Sequence, residues 1–116
     1  MIKKSAQLVA KLAAQAADDK KADDIQVLKM PEIMVETEFF VICSASTLVQ
    51  VHAIVNSITS ALEDEGIELL RYEGRKDNNW VLLDYGFVVV HVFLEEDRHY
   101  YDLEKLWSDA KRIPWS

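Results

Sequence analysis

Along residues 5–20, Leu8, Val9, Leu12, Ala13 and Ala16 recur at spacings that place them on one side of a helix. The alanines have high helix propensity, and the charged cluster Asp18, Asp19, Lys20 and Lys21 marks the helix end. From residue 25 the period changes to two. Ile25, Val27 and Lys29 alternate with Gln26, Leu28 and Met30, which predicts a short strand over 25–30. Pro31 stops it, because proline has no N–H to give to a sheet ladder. Residues 38–43 are rich in β-branched and aromatic side chains and predict a second strand, buried on both faces. Ser44, Ser46 and Thr47 then offer N-caps. The helix they open carries Leu48, Val51, Val55, Ile58 and Leu62 toward the core, and Gly66 supplies its C-terminal stop.

A third strand is expected at 67–72 and a polar loop at 73–79. The clearest local signal follows: 80–84, then Tyr85 and Gly86, then 87–93, a β-hairpin with glycine in its tight turn. Alternation places Phe87, Val89, His91 and Phe93 on one face and Val88, Val90 and Val92 on the other. A closing helix at about 97–111 carries Tyr100, Leu103 and Trp107 at helical spacing, with Leu106 alongside, until Pro114 ends it. No repeat or linker divides the chain. The order α–β–β–α–β–β–β–α implies one α/β domain over 1–116, its core at about 5–108, with a mixed five-stranded sheet packed by helices.

Composition adds constraints. A chain of 116 residues can bury a core without disulfides. Acidic residues outnumber Lys and Arg by 20 to 13, a net charge of −7 that repels nucleic-acid phosphates. That charge favours a basic partner, although it also serves solubility, which is the simpler reading when charge stands alone. Cys43 is the only cysteine, so no intramolecular disulfide forms. Its apolar surroundings suit a buried structural thiol in a reducing, cytoplasmic setting. Met1, Ile2, Lys3 and Lys4 resemble the start of a signal peptide, but Gln7, Lys11 and Gln15 interrupt any apolar continuation. No apolar run reaches the roughly 18 residues of a membrane span.

Candidate chemistry is sparse. His91 sits within an apolar strand, where a hydrogen-bonded core role outweighs a ligand role, and neither His52 nor His99 is at metal spacing. No Asp-x-Asp, Walker loop or Gly-x-Gly-x-x-Gly occurs, and the pairs Asp18–Asp19 and Asp23–Asp24 read as solvated. No catalytic residue, cofactor or metal is expected. Trp80 follows a polar loop at a strand's entry and suits either a core anchor or an interface hot spot. Asp84 suits either a cap on the hairpin turn or an acidic contact. Glu63, Asp64 and Glu65 sit at the unfavourable end of a helix dipole, a weak acidic edge. On the closing helix, Leu103 and Trp107 belong to the packing stripe, whereas Tyr101 and Glu104 point elsewhere and are reachable by a partner.

Trp80 leading a hairpin with Asp84, Tyr85 and Gly86, the strand Val90, His91, Val92 and Phe93, and the run from Tyr101 through Leu103, Glu104 and Leu106 to Trp107 together resemble the ribosomal silencing factor (Iojap-like) family. Similar motifs lie at 20–25 and 40–46, so the resemblance spans about 5–108. Departures are Phe87 where the family usually has aspartate, Glu38 and Phe39 in place of an aspartate and a tyrosine, and Ala45 where glycine is common. The resemblance implies a nucleotidyltransferase-like core without its catalytic motif. It implies binding to the large ribosomal subunit through its basic L-fourteen protein, which hinders subunit joining and represses translation, with little direct nucleic-acid binding. Organellar relatives act in large-subunit assembly, and members often form homodimers. A homodimeric interaction module unrelated to ribosomes is the alternative, and a nucleotidyltransferase-type enzyme is disfavoured.

Overall fold

A computed structural model of the chain describes residues 5–30, 37–74, 79–96 and 111–115. Helix α1 runs Ala6–Asp19, strand β1 Asp23–Lys29, β2 Phe39–Ala45 and helix α2 Leu48–Asp64. Then follow β3 Arg71–Gly74, β4 Trp80–Asp84, β5 Val88–Leu94 and β6 Lys111–Ile113. The strands form one mixed sheet in the order β3-β4-β5-β2-β1-β6. Only β2 and β5 pair in parallel; the other neighbours are antiparallel. The expected five strands are therefore six.

Each helix forms where its caps and apolar spacing direct, but each buries a slightly different face from the one expected. In α1, Ser5 accepts from the Leu8 N–H at 3.2 Å, and the buried side is Val9, Ala10, Ala13, Ala14, Ala16 and Ala17. Leu8 is exposed. The alanines allow α1 to approach α2 closely enough for the Ser57 hydroxyl to donate to the Ala16 carbonyl at 2.8 Å. Close approach outweighs the larger apolar bulk of Leu8. In α2, Thr47 is the N-cap, accepting from Gln50 N–H at 3.1 Å. Val51, Ile54, Val55, Ile58 and Leu62 are buried, while Leu48, at the helix's first turn, is exposed. Gln50 joins the helices, donating to the carbonyls of Lys20 and Lys21 at 3.3 and 2.9 Å. This supplies partners to carbonyls that a helix end leaves open.

Gly66 closes α2 with φ +76°. Its N–H reaches the Glu63 carbonyl and the Ile67 N–H reaches that of Leu62, both at 2.9 Å. This is the paired arrangement of a Schellman motif. The expected strand at 67–72 begins later, at Arg71, because the ladder can start only where β4 supplies partners: Arg71 pairs with Asp84 and Gly74 with Val81. Glu73 and Gly74, expected in a loop, are thus strand residues.

Both helices pack on one face of the sheet. There the main core gathers the α1 and α2 residues with Val27, Val41, Cys43, Val81, Leu83, Val88, Val90 and Val92. On the opposite face Leu28, Met30, Phe40, Ile42, Val89 and Phe93 form a second buried cluster, joined by half-buried Trp80 and Leu82. Every residue of β2 is buried, as expected for a strand covered on both sides. Phe87 departs from its expected alternation. It lies in the turn before β5 and packs against the helix-side core.

The closing helix expected at 97–111 falls largely outside the described residues, together with Leu103 and Trp107. Its expected last residue, Lys111, is instead the first of β6, which pairs with β1 through Val27↔Ile113 and Lys29↔Lys111. Pro114 ends that strand and restricts Ile113 to extended backbone. Trp115 then donates its indole N–H to the Ile25 carbonyl at 3.3 Å. Among the described residues no helix is long and apolar enough to cross a membrane.

An added Cβ at Gly66 would meet nothing within 4 Å, so its cost is set by the positive φ alone. Gly66→Ala is expected to lower stability by about 1 kcal/mol, seen as a lower urea midpoint with an unchanged slope.

Candidate functional site

Successive side chains of a strand point to opposite faces. In β4, Val81 and Leu83 therefore enter the helix-side core, while Trp80, Leu82 and Asp84 form a half-buried stripe on the other face. Trp80 and Asp84 share this face but lie about 13 Å apart along the strand. Beside them, at the sheet edge, Arg71 and Glu73 of β3 stand opposite Asp84 and Leu82. These two exposed side chains make an ion pair of 3.6 Å, an interaction worth little in water. An open cleft of about 210 Å³ is lined by Glu73, Gly74, Trp80 and Leu82. That is smaller than the roughly 300 Å³ at which small-molecule sites begin. It suits a single side chain of a partner better than a cofactor.

Trp80 is held from two directions. Its ring stacks on Phe93, with centroids 5.0 Å apart and planes inclined by 26°. Its indole N–H donates to His91 Nδ1 at 3.2 Å. The pairing explains the reach, since Trp80 lies opposite Phe93 and Leu82 opposite His91, so His91 is the diagonal neighbour of Trp80 on the same face. Phe40 meets the imidazole edge to face at 4.8 Å.

An indole nitrogen can only donate, so His91 Nδ1 must accept, and the ring is neutral with its proton on Nε2. That Nε2 is buried and has no hydrogen-bond partner among the described residues. Burial pushes the His91 pKa down from 6.5 to about 4. A proton on Nδ1 would also set two donors against each other. His91 is thus part of the packed face, not a proton shuttle in contact with solvent.

Asp84 spans the turn. Its Oδ1 accepts from the Gly86 N–H at 2.7 Å, and Gly86 has φ +91° with Leu70 Cδ1 3.2 Å from where a Cβ would stand. Half-buried, the carboxylate shapes the hairpin and still lies on the face that carries Trp80. Tyr85, next in the turn, is buried on the helix side, where its hydroxyl finds no partner among the described residues and burial pushes its pKa up to about 12. Cys43 is a buried cysteine in the main core. Phe87 is half-buried, and its carbonyl accepts from the N–H groups of Glu38 and Phe39 at 2.8 and 3.1 Å. Glu63, Asp64 and Glu65 are exposed at the end of α2, and His52 is exposed on the same helix. Tyr101 and Glu104 lie outside the described residues. Among the described residues, no group of three or more His, Cys, Asp or Glu is placed to hold a metal ion.

The strand expected at 67–72 reached Arg71 and Tyr72 but left Glu73 and Gly74, which line the cleft, in the loop that follows. Leu82 was legible through its alternation with Trp80. The bounds of this edge strand carried no usable signal, because all four of its residues are exposed and its extent is set only by its pairing.

The profile of the family described as Ribosomal silencing factor during starvation matches residues 3–116. The chain belongs to the ribosomal silencing factor family. It is 44% identical over 109 residues to a ribosomal silencing factor of Halalkalibacterium halodurans, covering 94% of this chain and 93% of that one. A Bacillus subtilis silencing factor is 45% identical over 102 residues, covering 88% and 86%. A more distant relative, the mouse protein named for mitochondrial assembly of the ribosomal large subunit, is 34% identical over 92 residues, covering 77% of this chain and 40% of its own. Among solved structures, one from Chromobacterium violaceum superposes with a TM-score of 0.86 at 35% identity, covering 90% of this chain and 88% of that chain. One from Bacillus halodurans has a TM-score of 0.80 at 42% identity, covering 93% and 98%. At these identities the likeness carries the silencing-factor family and not the fold alone.

The buried imidazole makes stability depend on pH. Folded His91 stays neutral down to about pH 4, whereas in the unfolded chain it takes up a proton below about 6.5. Between these values the unfolded state binds more protons, so acidification favours unfolding. The contribution is fully present above pH 6.5 and is lost as the pH falls toward 4. From about pH 7.5 to 5, wild type should lose about 2 kcal/mol more stability than His91→Phe, compared by urea denaturation. Parallel pH curves for the two proteins would mean that His91 titrates alike in both states.

Proposed function

We propose that this chain binds the large ribosomal subunit through its basic L-fourteen protein, occupies the face where the small subunit docks, and so represses translation. The observation that carries this reading is the match to the silencing-factor family along residues 3–116. Steric exclusion asks for no active site. A bound chain blocks a second surface by volume, and its potency follows from affinity and concentration. A net charge of −7 suits a basic protein surface, which it would approach by electrostatic steering. The proposed contacts are Trp80, at the lip of a cleft sized for one side chain, Asp84 on the same face, and Glu104, with Tyr101 behind them. Action in the cytoplasm and formation of a homodimer belong to the same proposal. The mouse relative's name supports a second reading, a part in large-subunit assembly.

Gradient sedimentation with isolated large and small subunits tests it. The chain should co-migrate with large subunits only, and raised salt should weaken the association. Trp80→Ala should weaken it at least about tenfold, or 1.4 kcal/mol. Because Trp80 stacks on Phe93, this variant should also lose about 2 kcal/mol of stability, so binding is measured well below its melting temperature. Asp84→Asn keeps an oxygen for the Gly86 N–H but removes the charge. It should leave the melting temperature in place and weaken binding about two- to fivefold. A chain that stays at the top of the gradient at micromolar concentration would refute the proposal.

A further inference from the structure

We infer that His91 is a positioning residue for partner docking: by accepting the Trp80 indole N–H it fixes the rotation of the ring presented at the cleft. The inference rests on the proposed docking of Trp80 to a partner. Its own basis is geometric. Stacking on Phe93 at 5.0 Å fixes the plane of the indole, but stacking is tolerant of rotation within that plane. The bond to His91 Nδ1, at 3.2 Å, removes that remaining freedom. His91 is itself immobilised. It is 5% exposed, held edge to face by Phe40 at 4.8 Å, and set in register between Ile42 of β2 and Leu82 of β4.

Packing alone does not explain a histidine at this position. Its neighbours on this face include Phe40, Ile42, Val89 and Phe93, all apolar and buried. An apolar ring of similar size would fill the same space without the buried Nε2 of His91, which has no hydrogen-bond partner among the described residues. What only the imidazole supplies is an acceptor aimed at the indole. Holding a side chain in its bound orientation lowers the entropy lost on association. The expected effect of losing the acceptor is therefore on affinity more than on the fold.

The experiment compares wild type, His91→Phe, His91→Asn and Trp80→Phe in large-subunit co-sedimentation and in two-dimensional 1H–15N spectra of the indole N–H groups. The Trp80 resonance is identified by its loss in Trp80→Phe. His91→Phe should weaken large-subunit binding about tenfold and speed hydrogen exchange at the Trp80 indole. His91→Asn, whose amide oxygen can stand near the Nδ1 position, should restore part of both. In the Trp80→Phe background, His91→Phe should cost no further affinity, since no indole donor is left. Should His91→Phe fail to fold, His91→Met serves as the adaptable acceptor-poor replacement. Ile58→Val, in the helix-side core, is the control for stability loss alone and should leave binding unchanged.

Wild-type affinity in a folded His91→Phe chain, with Trp80→Ala still impaired, would overturn the inference and leave the proposed function standing. Additive losses from His91→Phe and Trp80→Phe would do the same. No binding by wild type would instead bring down the proposed function and the docking role of His91 with it.

Discussion

Seven consecutive Cα pairs, from Phe39↔Val88 to Ala45↔Leu94, join β2 to β5 in parallel. Parallel neighbours cannot be linked by a tight turn, so the chain must leave the sheet between them. It does so through α2, then returns at the far edge as β3 and comes back by way of β4. Both faces of the central pair are buried, and a slip of one residue would exchange the helix-side set Val41 and Cys43 for Phe40 and Ile42. That exchange would place Phe40 and Ile42, both bulkier than the residues they displace, where the alanines of α1 need small neighbours. The parallel register thus sets the sheet order, the face taken by the helices, and the residues shown on the opposite side.

The site descends from this register. His91 pairs with Ile42 and Leu82, so its ring has a strand on each side. Trp80 comes at the start of β4, where the hairpin brings it opposite Phe93. A tight turn closed by Asp84 and Gly86 fixes that alignment. The turn is therefore part of the site although it lies at the other end of the strand. Displacing it would shift Trp80 relative to His91, and with it the shape of the cleft.

A silencing factor acting by occupancy, as proposed, would need no reaction centre. Its demands are a stable surface, an anchor already oriented, and a charge that suits the partner. On the proposed reading, a half-buried tryptophan on the sheet face, backed by two packed rings, would supply the first two of these. The sheet face covered by α1 and α2 serves stability, with alanines and branched residues packed there into the main core.

Much of this was legible in the residues themselves. The apolar spacing around Val51, Val55, Ile58 and Leu62 and the stop at Gly66 depend only on neighbours along the chain, and both helices formed where such signals placed them. The hairpin from Trp80 to Phe93 was legible for the same reason: alternation and a turn glycine act over a few residues. The family pattern was carried by Trp80, Asp84, Gly86 and His91 as a string. What the sequence could not convey was pairing at a distance. β6 has three residues and no period, and it exists because β1 has an open edge; β3 begins at Arg71 because β4 ends at Asp84. The faces turned inward by α1 and α2 depended on how near the helices approach each other, which left Leu8 and Leu48 outside. The hydrogen bond from Trp80 to His91 joins residues on different strands. Local chemistry determined the elements and their ends, whereas register and close packing, which arise only when distant segments meet, decided which side chains face one another.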